Sequence, residues 1–224
     1  MGSEGPQSVR INVTGFKKFQ GVDQNPTEII VNNLKDYVES LGTPAGVTLG
    51  ICTVLETAAN GAISELYRVL ESGISTPTNS DNEIVIWLHL GLNSGLLKFA
   101  IERQAVNEAT FCCPDELGWQ PQQHPIIPAD GGISRNRKTS CSVEAIVEFM
   151  KMKGFDTTLS YDAGRFVCNF VYYHSLLLAE QKGYKSLFVH LPTFSRVDQE
   201  TQMQFVVALL EAIASTCLIS TALM

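Results

Sequence analysis

The chain has 224 residues, of which 45% are hydrophobic and 17% charged, enough apolar material for a substantial core and too little charge for a disordered chain. A formal net charge of −7 argues against a DNA or RNA binder, which needs a basic face, and the same sign argues against an anionic membrane surface. Cysteines at positions 52, 112, 113, 141, 168 and 217 are too sparse for a disulfide scaffold, and no Cys-x-x-Cys pair points to zinc.

Met1 to Pro6 carries no basic region leading into an apolar run, so no secretory leader is read there and a reducing, cytoplasmic setting is expected. Arg10 to Val13 is a short β-branched strand ending at Thr14-Gly15. In Asn25-Pro26-Thr27-Glu28, Asn can cap, Pro suits the first helical position and Glu occupies the capping-box position. The helix this opens is predicted to reach about Leu41, with Ile29, Ile30, Leu34 and Val38 on one face. Val47 to Val54 reads as a second strand, about Ala58 to Leu70 as a helix, and Gly73 to Asn82 as a polar loop. Ile84 to Leu90 is a nearly unbroken apolar run, as expected of a strand covered on both faces. Lys98 to Asn107 alternates as a further strand.

The segment from Cys113 to Thr139, with Pro114, Pro121, Pro125, Pro128 and the pair Gly131-Gly132, reads as irregular, and so long an irregular stretch is usually functional. A helix is predicted over Ser142 to Lys153 and a strand over Thr157 to Tyr161. A turn at Asp162-Ala163-Gly164 leads into a helix to about Gln181, followed by a strand at Ser186 to Leu191. A last helix begins near Asp198 or Thr201. From Phe205 to Met224 only Glu211 is charged, which approaches the length of a bilayer span. The central glutamate and the lack of basic flanks favour a buried helix followed by a loose tail. The alternation of strands and helices specifies an α/β domain. One domain is expected over residues 1–224, with loose tails at 1–8 and about 217–224.

Cys168 follows a strand and a Gly turn and stands near the start of a helix, where the positive end of the dipole favours a thiolate. The bland reading is a packed core cysteine. His190 ends the last strand just before Leu191-Pro192, at the edge where α/β sheets collect ligands, and suits a general base; a hydrogen-bonded structural histidine is the competing reading. Glu102, in Ala100-Ile101-Glu102-Arg103, needs a partner among apolar neighbours, either an imidazole it orients or a cation such as Arg103. His89 reads as structural, and neither His174 nor His124 has metal-ligand spacing. Gly91-Leu92-Asn93-Ser94-Gly95 lacks the phosphate-loop ending, and Cys112-Cys113 reads as two ordinary thiols near a site mouth rather than a metal pair or a redox couple.

Together these segments resemble the pyroglutamyl peptidase type I family, also called pyrrolidone-carboxylate peptidases, from about Arg10 to Thr216. Thr14-Gly15-Phe16-Lys17-Lys18-Phe19 with Asn25-Pro26 matches the family's N-terminal motif, and Ile101-Glu102-Arg103-Gln104-Ala105-Val106-Asn107 its catalytic-glutamate segment. Asp162-Ala163-Gly164-Arg165-Phe166-Val167-Cys168-Asn169 matches the nucleophile motif, and Phe188-Val189-His190-Leu191-Pro192 the histidine segment. The resemblance implies a three-layer α/β/α fold with a twisted, mostly parallel mixed sheet and a Cys168–His190–Glu102 triad. It implies hydrolysis of an N-terminal pyroglutamyl residue from a peptide or amide, with no cofactor and no metal. Phe16 and Phe19 would sandwich the lactam ring, and Phe166 and Val167 would meet its amide edge.

Two positions depart from the family pattern. Cys112 stands where relatives usually carry an oxyanion Arg, a loss that weakens catalysis unless Arg103 or Arg165 reaches the site. Leu92 replaces a polar Gln of bacterial relatives and is expected to shift substrate preference. Two other outcomes are kept: a member specialised for another amide or ester hydrolysis or an acyl transfer, and a silent ligand-binding paralogue. Relatives differ in oligomeric state, so a homo-oligomer stays open.

Overall fold

The computed structural model describes residues 8–75 and 83–222. Its centre is a six-stranded mixed sheet in the order β2-β1-β3-β8-β4-β7. The strands are β1 (Val9–Phe16), β2 (Val47–Leu55), β3 (Ile84–Leu92), β4 (Phe99–Glu102), β7 (Thr157–Ser160) and β8 (Lys185–Leu191). All neighbours run parallel except β4 and β8, which are antiparallel, with Ala100 opposite His190 and Glu102 opposite Phe188.

Helices cover both faces because the inner strands bury both sides. The odd-numbered Val9, Ile11, Val13, Leu187, Val189 and Leu191 share a core with α1 (Pro26–Leu41), α3 (Val143–Met152) and α5 (Gln199–Ala222). Phe16, Trp87 and Phe188 pack instead with α2 (Ala59–Ser75) and α4 (Val167–Lys182). Side chains alternate along a strand, so His89, Glu102 and His190 also face the α2/α4 layer. The result is the expected α/β/α sandwich.

The Asn25 side chain caps α1, accepting from Thr27 N at 3.1 Å, with Pro26 in the first turn. Ile30, Val31, Leu34 and Val38 form the buried stripe of that helix. Four sequence expectations are revised. The strand read over Lys98–Asn107 is two strands in different sheets, because the chain leaves the main sheet at Arg103, whose N–H donates to Ser160 O at 2.8 Å. β5 (Gln104–Val106) then pairs antiparallel with β6 (Asn136–Lys138), which lies inside the segment read as irregular. The last helix continues to Ala222 rather than giving way near residue 217, and Cys217 is buried. Helix α2 likewise runs on to Ser75; the remainder of the loop read at Gly73–Asn82 lies largely outside the described residues.

The apolar stretch Gln199–Leu218 has the length and hydropathy of a bilayer span. Its Phe205, Val206, Leu209, Leu210 and Ile213 are nevertheless fully buried against the sheet.

Candidate active site

Gly164 adopts φ +80° in the turn after β7, a conformation that costs a side-chain-bearing residue energy and glycine little. The chain then extends through Phe166 (φ −95°, ψ −163°) and enters α4 with no side-chain cap on its first turn. Cys168 is the second residue of that helix. His190 and Glu102 come from adjacent antiparallel strands on the same face. His190 Nδ1 lies 2.8 Å from Glu102 Oε1, with side-chain exposures of 4% and 2%. Burial alone would depress the imidazole pKa, but the Cys168 and Glu102 side chains outweigh it and raise the pKa to about 9. With Nδ1 committed to the carboxylate, Nε2 is the nitrogen left for the thiol.

Phe188 underlies the pair, its ring centroid 4.9 Å from His190 and 6.3 Å from Phe16. Gly91, opposite His190 in the β3–β8 register, makes room for this packing. A Cβ built there would stand 2.6 Å from Phe188 Cζ and 3.0 Å from Cys168 Sγ.

Beside the thiol, one small pocket gathers Phe16, Phe19, Leu92, Phe166 and Val167 with Cys168. These five were the expected substrate-binding residues. Phe16 is buried, and Phe19 meets Phe166 at 6.4 Å in a tilted arrangement. Two further lining residues, Asn25 and Thr57, escaped sequence reasoning. Both donate to Lys17 O, at 3.0 and 2.6 Å, and so hold the turn between the two phenylalanines. Asn25 enters the sequence reading as a helix cap and within the Asn25-Pro26 motif but not as a pocket residue, and nothing around Thr57 marks it.

Cys112 does not line this pocket. It is exposed on the adjoining loop, next to Phe111, whose ring packs 4.6 Å from that of Phe166. The two arginines considered as substitutes for the missing guanidinium are engaged elsewhere. Arg103 pairs with Glu144, and Arg165 binds Glu108 at 2.9 Å and Asp162 at 2.6 Å.

A sequence model of the pyroglutamyl peptidase family matches residues 9–214. The chain belongs to that family. It is 32% identical over 181 residues to the pyrrolidone-carboxylate peptidase of Klebsiella pneumoniae strain 342, covering 80% of this chain and 76% of the relative. The Pyrococcus furiosus pyrrolidone-carboxylate peptidase is 29% identical over 186 residues, covering 82% and 81%. The solved structure of the pyrrolidone carboxyl peptidase from Thermococcus litoralis superposes with a TM-score of 0.78 at 25% identity, covering 92% of this chain and 93% of that one.

As a pyroglutamyl peptidase family member the chain is a cysteine-type hydrolase. Its other buried histidines are held neutral. His89 sits between Thr14 Oγ1 and Ser175 Oγ, each at 2.7 Å, and burial lowers its pKa to about 3. His174 meets Tyr67 Oη at 3.2 Å and is lowered to about 4 for the same reason.

Proposed function

We propose that the chain is an omega-peptidase that hydrolyses an N-terminal pyroglutamyl residue from small peptides or amides, with Cys168 as nucleophile, His190 as acid–base and Glu102 as orienter. The observation that carries this reading is the aromatic pocket opening directly onto Cys168, backed by a buried imidazole–carboxylate pair. An uncharged lactam needs flat apolar walls and a few polar groups rather than a cation or a metal. The Cys168 thiolate attacks the pyroglutamyl carbonyl to give a thioacyl-enzyme. Imidazolium at His190 protonates the departing amine, and the neutral ring then activates water for deacylation. The first turn of α4 has no side-chain cap, and in this reading its backbone N–H groups receive the oxyanion.

Cys112 leaves that oxyanion without a charged donor, and one such donor is typically worth about 10²–10³ in rate. We therefore expect slow turnover of a pyroglutamyl-aminomethylcoumarin under reducing conditions, none with Cys168→Ala, and a gain of roughly 10²-fold in kcat with Cys112→Arg. Equal rates for the native chain and Cys112→Arg would dispose of the oxyanion argument. Turnover by Cys168→Ala would dispose of the nucleophile. A reducing compartment such as the cytoplasm suits a chain whose six cysteines are all free thiols and whose nucleophile must stay reduced.

A further inference from the structure

Besides the nucleophile, the site carries a second concentration of sulfur. Cys112 Sγ and Cys113 Sγ lie 4.0 Å apart, the first exposed and the second half-buried. The backbone on either side is anchored. Phe111 N donates to Pro121 O at 2.9 Å, and Asp115 N donates to Trp119 O at 2.9 Å. The same loop is fastened to three segments of the substrate pocket. Phe111 packs on Phe166, Glu116 Oε1 accepts from Gln20 N at 2.8 Å beside Phe19, and Glu116 N donates to Thr57 O at 3.3 Å. Nothing in the peptidase mechanism uses these two thiols.

We infer that Cys112 and Cys113 form a redox-active dithiol, closed to a vicinal disulfide by exchange with a low-molecular-weight disulfide such as glutathione disulfide, and that closure weakens the pocket for its ligand. Cys112, the exposed sulfur, attacks one sulfur of the oxidant as thiolate, forming a mixed disulfide and expelling one glutathione thiolate, which takes up the proton Cys112 lost. The Cys113 thiolate then attacks Cys112 Sγ and expels the second glutathione, again with transfer of one proton. Two protein thiols are oxidised, and one glutathione disulfide is reduced to two glutathiones. Burial and the neighbouring Cys112 push the Cys113 thiol up, which suits it to the second, intramolecular attack rather than the first. Bond formation brings the sulfurs from 4.0 Å to about 2 Å. That contraction lies between two backbone anchors and is transmitted through Phe111 to Phe166 and through Glu116 to Gln20 and Thr57.

The dithiol half of this inference is independent of the peptidase reading, whereas the pocket half rests on it. The test uses full-length Cys168→Ala protein, so that the nucleophile does not itself consume oxidant. The protein is treated with glutathione disulfide, alkylated and peptide-mapped, and pyroglutamate binding is titrated calorimetrically before and after. The expected result is loss of two hydrogens from the Cys112–Cys113 peptide, both sulfurs blocked to alkylation, with a roughly tenfold rise in Kd. Cys113→Ser in the same background should instead retain one glutathione on Cys112. Persistent glutathione on Cys112 with Cys113 intact, or full alkylation of both, overturns the dithiol. Closure without a change in Kd overturns its link to the pocket. If pyroglutamate binds neither form, the peptidase reading fails. The link is then read from the fluorescence of Trp119, whose ring lies 5.3 Å from Phe111, and an unchanged signal on closure refutes it.

Discussion

Buried in the sheet face, the His190 imidazole would ordinarily give up its proton below pH 6.5, and it keeps that proton to about 9 only because the Cys168 and Glu102 side chains flank it. The peptidase rate should therefore fall as pH rises through about 9, where the acid that protonates the leaving amine is lost. Glu102→Gln removes one of the two supports, so its alkaline limb should move to lower pH. An unmoved limb in that variant would mean that the carboxylate has no hold on the imidazole. Gly91 offers a steric test of the same centre. Gly91→Ala drives a methyl group into the Phe188 ring and towards Cys168 Sγ, and Phe188 is itself fully buried. We expect a stability loss of about 1–3 kcal/mol and a kcat decrease out of proportion to any change in KM. An alanine variant with native kcat would show that the thiol has slack. At this scale the sequence was informative where a residue stands in a dense local motif, as Cys168, His190 and Glu102 do. It was silent on Arg103 and Arg165, whose carboxylate partners Glu144 and Glu108 lie 41 and 57 residues away and are chosen by side-chain reach.

Secondary structure elements bring those residues together by parity and direction. Because β4 runs against β8, Glu102 sits two pairs deeper than the position opposite His190, on the same face as the imidazole. The alternation that predicted a strand over Lys98–Asn107 is present, yet it does not reveal that the partner changes at Arg103, because β4 and β5 have the same period. β6 gave no signal at all, since Asn-Arg-Lys is polar throughout. The start of α2 depends on a distant residue in a similar way. Asp115 accepts from Ala59 N at 2.9 Å, Leu117 N at 3.0 Å and Trp119 N at 2.9 Å, and it is buried. Asp115→Ala leaves these donors without their acceptor, which should cost about 3 kcal/mol and lower Tm by roughly 6–12 °C. Because Thr57, just before α2, lines the pocket, KM should rise as well. A variant that melts with the native chain would show that water replaces the carboxylate at no cost.

For the molecule as a whole, the three buried histidines pull stability in opposite directions with pH. Unfolded, His89 and His174 take up a proton near 6.5, but the folded chain resists until about 3 and 4. Their contribution is complete above pH 6.5 and is lost as pH falls, at about 1.4 kcal/mol per pH unit for each. His190 behaves oppositely: its contribution is complete below 6.5 and lost as pH rises towards 9. The urea midpoint should therefore be highest near pH 6.5 and lower at both 4.5 and 8.5. A midpoint that still climbs at pH 8.5 would contradict the charged state assigned to His190. The α/β class was legible from alternation, caps and turn residues, and the three layers only from the resemblance to the family. Strand order was not, because adjacency across a sheet depends on which edges remain open when each strand arrives.

That order has a consequence for how the chain is made. β8, near the end of the sequence, fills the gap between β3 and β4. Until residues 185–191 leave the ribosome, the earlier strands have no central neighbour and present facing open edges, the kind of surface that invites wrong pairing. The same strand brings His190. A nascent chain therefore carries Cys168 without the imidazole proposed to serve it, and the candidate site is completed in the same step that closes the sheet.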